Sequence, residues 1–560
     1  MLLVNSPDWS AGDQALARGA WTEAREAFET ELRTAELPEA LEGLGTAAWW
    51  LDLTDLVFDS RERAYRLYLA RDERRASARM AIWLAWDYWA FRGETAVANG
   101  YLQRARRLLN REPDCPERAW LELREGSLAL LEDGNPEQAL ALADEGVRIA
   151  LEVRDTNLEM LGRAVQGLAL VVSGAVTAGM RHLDEVNAAI ISGELTDRIA
   201  IGLSSCYMIA ACDRVRDFDR AVQWCTRLRE SCARWGLRPL FAVCRTQYAG
   251  VCLWRGSWSE AEQELLSAGV ELAASRPAMM AEALVRLAEL RRRQGRLVEA
   301  VQLLEKVPPH GFAALVSAEL AFDRGDPQAA ADQALRYLRQ VPMTNRTDRV
   351  SGLDLLVRAL TSLGDTNGAK TALAELSNIC AIVATVPLRA AVSFAAGYVA
   401  FGDGEPDEAR RQFEDAVDLF LQSNAPFEVA RSRVQLARAL AELGRSKAAG
   451  EEAQRAIDTL SKLQAELELA RAHTVLVSLM DIAKNATEQT LQDYSQSPLT
   501  RREIEVLRLV ADGLSNQMIA GRLFVSEHTI HRHLGNILNK LSVSTRAAAV
   551  AQAVRRGLLG

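Results

Sequence analysis

Apolar residues recur at helical spacing along most of the chain, in pairs of segments that a short polar turn separates. Around Gly295, for example, Leu287 and Leu290 lie three residues apart before the turn, and Val301 and Leu304 lie three apart after it. Such spacing places apolar side chains on one face of an α-helix. The pattern therefore predicts a helix, a tight turn and a second helix, repeated many times.

The turn between the two helices carries a signature, in which a glycine is followed five residues later by an alanine. The pairs are Gly19/Ala24, Gly93/Ala98, Gly134/Ala139, Gly256/Ala261, Gly295/Ala300, Gly325/Ala330, Gly364/Ala369, Gly404/Ala409 and Gly444/Ala449. Degenerate pairs continue the register at Asp59/Ala64, Gly174/Gly179 and Arg216/Ala221. A glycine suits the end of a helix, and an alanine lets the second helix approach its neighbour closely. With a spacing of about forty residues, the sequence predicts twelve helical hairpins.

Hairpins with this Gly-turn-Ala signature resemble the repeats of the tetratricopeptide family, although the units here are mostly longer than that family's own period. The resemblance covers most of residues 10 to 480. It implies a right-handed superhelix with a concave binding surface, because stacked repeats bury one continuous core. We therefore expect an all-α fold that begins with a tetratricopeptide-like superhelix.

The last sixty or so residues follow a different plan, with four short helices that each begin at a capping residue. Thr500 and Glu503 form a capping box ahead of the first helix, and Ser515, Ser526 and Ser544 can cap the next three. A short second helix, a brief turn and a longer third helix are typical of a helix-turn-helix. In that motif the third helix of this domain enters the major groove of DNA.

The third helix of this domain has an apolar face and a polar face. The apolar residues that we expect to pack inward are Ile530, Leu534, Ile537, Leu538 and Leu541. The residues that then point away from the core are His528, Arg532, Gly535 and Asn539, with His531 at the edge of the exposed face.

The residues of this region resemble the DNA-binding domain of the LuxR family. The matching stretches are residues 499–507 (LTRREIEVL), 514–520 (LSNQMIA), 525–534 (VSEHTIHRHL) and 540–547 (KLSVSTRA). The resemblance implies that His531 and Arg532 read bases and that Gly535 stands at a further reading position. The candidate DNA-binding residues are Ser515, Asn516, Ser526, His528, Thr529, His531, Arg532, Gly535 and Lys540.

Two positions depart from the LuxR pattern. Gly535 has no side chain with which to read a base, and it costs the helix about 1 kcal/mol relative to alanine. Ser542 replaces the glycine that commonly follows the Lys-Leu pair, so the C-terminal cap of the third helix is less favourable. The family's fourth helix commonly dimerises, and Val550 and Val554 repeat on an alanine-rich helix here. We therefore expect a homodimer.

Charge is divided unevenly along the chain. Residues 498–560 contain nine Lys and Arg and four Asp and Glu, a net charge of +5, whereas the whole chain carries −9. A basic domain suits the polyanionic backbone of double-stranded DNA. A polar stretch that ends in proline precedes it and is typical of a linker. We therefore predict repeats over residues 1–490, a linker over 491–497 and the helix-turn-helix domain over 498–560.

An aromatic stripe and a group of cysteines lie within the repeats. Trp83, Trp86 and Trp89 fall at every third residue, an arrangement that is either core packing or the wall of a ligand pocket. These three tryptophans are the candidate ligand-binding residues. Six of the eight cysteines fall between Cys206 and Cys252. Without a Cys-x-x-Cys pair, they fit reduced, buried thiols better than a metal or redox site.

Motifs for catalysis and cofactor binding are missing from the sequence. His528, His531 and His533 do not form a complete set of metal ligands, and a pH-sensitive DNA contact is the alternative role for them. Larger regulators of the MalT type carry a Walker A loop ahead of their repeats. The nearest run here, residues 364–371, has one residue too few between its glycines. We expect no enzyme activity, no metal and no cofactor.

The N-terminus has no basic segment ahead of an apolar one, and the apolar stretch around residues 161–180 is interrupted by Arg163 and Gln166. We therefore expect a cytoplasmic protein without a membrane span. The sequence predicts a sequence-specific DNA-binding transcriptional regulator whose repeats sense a small molecule, a peptide or a protein partner. Double-stranded DNA is the expected partner, and RNA polymerase or a regulatory protein is a further candidate. The alternatives are a protein-interaction scaffold and an ATP-dependent regulator with an unrecognised nucleotide site.

Overall fold

Helices form every regular element in the part of the chain that the computed structural model describes, residues 10–235, 238–307, 311–480 and 499–559. The predicted all-α fold class is confirmed. The chain divides into two compact units, Met1–Val475 and Leu476–Gly560. The predicted linker, residues 491–497, lies outside the described residues.

Twelve helical hairpins follow one another in the described part of the first unit. The first six are α1 (Ala11–Arg18) with α2 (Trp21–Leu32), α3 (Pro38–Trp50) with α4 (Thr54–Ala70), α5 (Arg74–Asp87) with α6 (Thr95–Leu109), α7 (Pro116–Leu131) with α8 (Pro136–Val153), α9 (Thr156–Ser173) with α10 (Val176–Ser192), and α11 (Arg198–Val215) with α12 (Phe218–Trp235). The other six are α13 (Arg238–Arg255) with α14 (Trp258–Ser275), α15 (Pro277–Arg293) with α16 (Leu297–Leu304), α17 (Gly311–Asp323) with α18 (Pro327–Gln340), α19 (Arg346–Leu363) with α20 (Thr366–Val383), α21 (Val386–Gly402) with α22 (Pro406–Gln422), and α23 (Pro426–Glu442) with α24 (Ser446–Leu463). A π-helical turn, Tyr88–Arg92, extends α5, and a further helix, α25, occupies residues 466–480.

The glycine and the alanine of the repeat signature have the roles that the sequence predicts. All nine signature glycines adopt a positive φ, between 59° and 81°. The nine alanines that follow them are at most 1% exposed. The degenerate turns at Gly174 and Arg216 also have a positive φ, of 100° and 59°. The left-handed turn and the small buried residue therefore mark the hairpins at these positions.

One predicted turn is misplaced. Asp59 lies inside α4, which runs from Thr54 to Ala70, so the pair Asp59/Ala64 does not mark a turn. The left-handed residue is Asp52, with a φ of 57°, and the residue five positions later is the fully buried Val57. Aspartate adopts the left-handed conformation more readily than most residues. The turn therefore forms without the glycine on which the signature depends.

Hairpins that are far apart in sequence contact one another. The guanidinium of Arg198 donates hydrogen bonds to the carbonyl oxygens of Leu16 and Ala17 at 3.2 and 3.1 Å. The indole Nε1 of Trp254 donates to the carbonyl oxygen of Ser423 at 3.0 Å. Each contact joins hairpins that several repeats separate. The stack therefore winds back on itself as a tetratricopeptide-like superhelix.

The repeats enclose an unexpected number of charged side chains. The buried arginines among the described residues are Arg61, Arg124, Arg276, Arg286, Arg291, Arg292, Arg349 and Arg358. Seven of the eight form an ion pair with a carboxylate, as Arg61 does with Asp87 at 2.5 Å and Arg349 with Glu375 at 2.6 Å. A buried guanidinium needs such a partner because the free-energy cost of removing an ion from water is on the order of several kcal/mol.

The second unit contains four helices around a core of its own. They are α26 (Arg501–Ala511), α27 (Asn516–Leu523), α28 (Glu527–Leu541) and α29 (Arg546–Arg555). Each helix contributes a fully buried residue: Val506, Ile519, Ile530 and Ala549. In neither unit does a described helix combine the length and the apolar character that crossing a membrane requires.

Candidate nucleic-acid interface

The helix α26 begins at the predicted capping box and is tied to α28. The N–H of Thr500 donates to Oε2 of Glu503 at 2.7 Å, and the N–H of Glu503 donates to Oγ1 of Thr500 at 3.4 Å. The same Glu503 oxygen accepts a hydrogen bond from Nζ of Lys540, at the end of α28, at 2.7 Å. The Glu503 side chain is 4% exposed and that of Lys540 is 37% exposed, so this ion pair lies at the edge of the domain's core.

The Glu503 carboxyl group is ionised at neutral pH. Burial raises its pKa, but the hydrogen bonds from Lys540 and Thr500 outweigh burial and bring the pKa below its ordinary 4.5. Lys540 is a candidate DNA contact, and the structure places its ammonium group on this carboxylate. A phosphate bound by Lys540 would have to share that ammonium group with Glu503.

α27, a tight turn and α28 form the helix-turn-helix. Ser515 caps α27 by accepting a hydrogen bond from the N–H of Met518 at 3.3 Å, and Ser526 caps α28 by accepting one from the N–H of Thr529 at 3.1 Å. Both caps are those that the sequence predicts. Between the helices Phe524 adopts a left-handed φ of 55° and is 94% exposed. The turn needs this conformation because only two residues, 524 and 525, separate α27 from the cap of α28.

The exposed face of α28 carries the residues to which the LuxR resemblance gives base contacts. His531 and Arg532 are exposed, and so is His528, a candidate contact on the same face. Of the five residues expected to pack inward, α28 buries Ile530, Leu534, Ile537 and Leu541, and Leu538 is half-buried against the same core. Arg532 makes no hydrogen bond or ion pair with any described residue. Its five N–H donors therefore face solvent.

Gly535 lies one turn beyond His531 on the same exposed face. A Cβ atom added to it would meet no other atom within 4 Å. Its backbone is helical, so the domain itself does not require glycine at this position. Asn536, one turn beyond Arg532, is also exposed, although it is not among the residues predicted from the sequence. The spacing of four residues from Arg532 is the signal that could have found it.

The remaining candidates belong to the caps. The hydroxyl groups of Ser526 and Thr529 lie 2.7 Å apart, so each has a partner within the cap of α28. Ser515 is exposed at the start of α27. Asn516, the next residue, is half-buried, and its Oδ1 atom has no hydrogen-bond partner among the described residues. These four side chains surround the amino-terminal ends of the two helices of the motif.

The last helix, α29, differs in detail from the prediction. Thr545 rather than Ser544 is its cap, because Oγ1 of Thr545 accepts a hydrogen bond from the N–H of Ala548 at 3.1 Å. Val550 is half-buried and packs against the core of the domain, whereas Val554 is 56% exposed. Of the two valines proposed for dimerisation, only Val554 therefore offers a largely free surface.

The candidate ligand residues of the repeats separate into two groups. Trp83 and Trp86 face a buried arginine, Arg124, at 5.2 and 3.9 Å from ring centroid to guanidinium carbon. Trp89 instead donates a hydrogen bond from Nε1 to Glu132 at 2.5 Å. Two tryptophans of the stripe therefore lie next to a buried positive charge, and the third is hydrogen-bonded to a carboxylate.

The cysteine group contains one close pair. The Sγ atoms of Cys206 and Cys244 lie 3.1 Å apart, and the side chains of Cys225 and Cys232 lie outside the described residues. No three His, Cys, Asp or Glu side chains in the described ranges are grouped as metal ligands.

Comparison with known proteins identifies the class of the second unit. Residues 497–553 match the family described as bacterial regulatory proteins, luxR family. The C-terminal domain is thus a helix-turn-helix of the LuxR type. It follows tetratricopeptide-like repeats.

Similarity to individual proteins is limited to short stretches. The chain is 49% identical over 59 residues to the transcriptional regulatory protein DegU of Brevibacillus brevis, which is 10% of this chain and 25% of that protein. It is 49% identical over 74 residues to a nitrate/nitrite response regulator protein homolog of Haemophilus influenzae, 13% of this chain and 36% of that protein. The chain thus spans about a quarter to a third of the length of these relatives. One solved structure, the APC/C hetero-tetramer Cut9-Hcn1, contains a chain that covers 84% of this one at 15% identity, with a TM-score of 0.45 over 95% of its own length.

Proposed function

We propose that this protein is a DNA-binding transcription regulator that reads its sites with α28. The observation that supports this most directly is the exposed, unpaired Arg532 on the polar face of a helix-turn-helix that matches the luxR family model. A guanidinium can donate two hydrogen bonds to O6 and N7 of guanine in the major groove. His528 and His531 flank Arg532 on the same face, and Ser515 and Asn516 stand at the start of α27.

The charge of the domain supports the same proposal. Residues 498–560 carry a net charge of +5, although the whole chain carries −9. Positive charge on a DNA-binding domain displaces the cations condensed on the phosphate backbone, so binding weakens as salt is added. We place the protein in the cytoplasm, because a regulator of this kind acts where the chromosome is.

The repeats are proposed to sense an effector and to control the C-terminal domain. Stacked hairpins provide a large continuous surface for a peptide, a protein or a small molecule. The partners we propose are double-stranded DNA, a second copy of the chain through α29, and RNA polymerase or another regulatory protein. The proposed activity is binding rather than catalysis.

The test compares the full chain with a chain that ends at residue 497. Fluorescence anisotropy with labelled duplex DNA should detect binding by the full chain alone, and raising salt from 50 to 200 mM should weaken it at least about tenfold. A chain that binds equally well without residues 498–560 would refute the proposal. Binding that does not respond to salt would refute it as well. Loss of DNA binding on truncation also excludes a scaffold that acts through the repeats alone.

A further inference from the structure

One buried arginine of the repeats lacks the carboxylate that the other seven have. Arg124, on α7, is 2% exposed. Its three guanidinium nitrogens, Nε, Nη1 and Nη2, are all buried and have no hydrogen-bond partner among the described residues. Arg61 and Arg276, in the same part of the superhelix, pair with Asp87 at 2.5 Å and with Asp52 at 3.2 Å. Arg124 is therefore an exception to a rule that the molecule otherwise follows.

Three indole rings surround Arg124. The guanidinium carbon lies 3.9 Å from the ring centroid of Trp86, 5.0 Å from that of Trp120 and 5.2 Å from that of Trp83. Cation–π attraction between the guanidinium and the indole rings stabilises the faces of the guanidinium group. It does not satisfy the N–H donors, which lie in the guanidinium plane and are costly to bury without an acceptor.

The acidic groups near Arg124 form their hydrogen bonds with other residues. Asp87 holds Arg61 through Oδ2 and keeps a buried Oδ1 without a hydrogen-bond partner among the described residues, and Asp197 accepts hydrogen bonds from the N–H groups of Ile199 and Ala200 at the start of α11. Their negative charges act on Arg124 only at a distance. Burial lowers the pKa of Arg124 to about 10, so the group stays positively charged at neutral pH.

The remaining polar neighbour is occupied too. The hydroxyl group of Tyr207 donates a hydrogen bond to Oγ of Ser127, one turn beyond Arg124 on α7, at 2.8 Å. Ser127 in turn donates to the carbonyl oxygen of Leu123 at 2.7 Å. Among the described residues, none of these side chains is hydrogen-bonded to Arg124, so an acceptor that a ligand supplies would satisfy its donors.

We propose that Arg124 and the indoles of Trp83, Trp86 and Trp120 form the binding site of a small organic acid, with the guanidinium bound to its carboxylate and the indoles packed on its apolar body. A monocarboxylate fits because one guanidinium supplies one positive charge with two parallel N–H donors. Trp83 and Trp120 are half-buried, so the aromatic side of the site reaches the surface. The proposal rests on the sensing role given to the repeats and names the class of effector.

The test is calorimetric titration of the full chain with benzoate, which combines a carboxylate and an apolar ring. We expect benzoate to bind with a Kd of about 1 mM or tighter, given what a ligand of nine heavy atoms can gain. Benzamide, which has the same shape without the charge, should bind at least about tenfold more weakly. Inorganic phosphate, matched for ionic strength, should not compete with benzoate.

Three variants connect binding to Arg124. Arg124→Leu should weaken benzoate binding by at least about thirtyfold, since truncating one partner of a buried charge pair has effects of this size. Arg124→Lys keeps the charge and should retain part of the affinity. Arg118→Leu, on the same helix, removes an arginine that pairs with Asp114 at 3.7 Å and should leave benzoate binding unchanged.

The proposal is overturned if native protein fails to bind benzoate up to 10 mM, a limit about tenfold above the expected Kd. It is also overturned if benzamide or phosphate binds as well as benzoate, or if Arg124→Leu binds benzoate as native protein does. Measuring DNA binding with the same samples distinguishes a failure of the proposed ligand site from a failure of the proposed function. If native protein binds DNA but not benzoate, the site alone is rejected. If native protein does not bind DNA, the proposed function as a regulator is rejected.

Discussion

Gly535 is the residue at which the needs of folding and of DNA binding differ most clearly. A methyl group there would meet no atom of the domain. Gly535→Ala should therefore stabilise α28 by about 1 kcal/mol, because glycine is that much less favourable inside a helix. The same methyl group points toward the proposed DNA surface, where it should hold the helix away from the groove and lower the affinity for DNA.

Opposite changes in these two quantities are the signature of an interface. Thermal unfolding of the full chain measures the first, and anisotropy with duplex DNA measures the second. Gly521→Ala is the matched control, because Gly521 is an exposed helical glycine of α27 with equally open surroundings. It should stabilise the domain and leave affinity unchanged. If Gly535→Ala left DNA affinity unchanged as well, α28 would not approach DNA at this residue.

Glu503 should make the C-terminal domain sensitive to acid. The folded state holds its pKa below the ordinary 4.5, so the unfolded state takes up the proton first as the pH falls. The stabilisation is complete above the ordinary pKa and is lost as the pH drops through the lowered one. Glu503→Gln should cost about 1 kcal/mol at pH 7 and make the domain less sensitive to pH between 3 and 5.

Hydrogen exchange of the α26 and α28 amides in the full chain measures this local stability. Glu505→Gln is a suitable control, since Glu505 is exposed and pairs only with its helical neighbour Arg502 at 2.7 Å. An unchanged pH profile in Glu503→Gln would mean that the ion pair with Lys540 does not stabilise the domain.

At the scale of single residues, local chemistry was predictable and partners distant in sequence were not. The capping roles of Thr500, Ser515 and Ser526 follow from their positions ahead of apolar runs, and the structure has all three. The ion pair of Lys540 joins residues 37 positions apart. Its lysine therefore looked like an exposed cation in the sequence. The unpaired state of Arg124 was hidden for the same reason.

The helix α29 is the element that should mediate dimerisation on DNA. Val554 is 56% exposed, and a carboxylate placed there should oppose a second copy of the helix. Val554→Glu should weaken binding to DNA with two half-sites by at least about tenfold, since linked sites gain that much or more from simultaneous contact. Binding to a single half-site should change little.

Gln552→Glu adds the same charge to another face of α29 and serves as the control. Val550→Glu is not informative, because Val550 packs against the core of its own domain. Equal losses on one and two half-sites in Val554→Glu would argue against a dimer through this helix.

The helical elements themselves were largely predictable because each hairpin repeats the same local solution. A glycine with positive φ and a buried alanine five residues later located nine turns. The turn at Asp52 was misplaced because its left-handed residue is an aspartate. The cap of α29 was misplaced by one residue because Ser544 and Thr545 are adjacent and chemically alike. Errors occurred where the usual residue was replaced or duplicated.

At the scale of the whole molecule, the division into repeats and a basic C-terminal domain is visible in the sequence. How the repeats close on themselves is not. Arg198 and Leu16 are 182 positions apart, and no periodicity of single hairpins predicts that they meet. Closure also brings Arg276 to Asp52, which is 224 positions away in the sequence.

Selection of DNA from random duplexes by the full chain tests the central claim, that α28 reads sequence through Arg532. Native protein should enrich a motif of two half-sites. Arg532→Ala should lose discrimination for guanine at one base pair in each, by about 1–3 kcal/mol. Arg508→Ala, which removes an exposed arginine of α26, should enrich the native motif. The account is contradicted if native protein enriches no motif, or if Arg532→Ala weakens every sequence by the same factor.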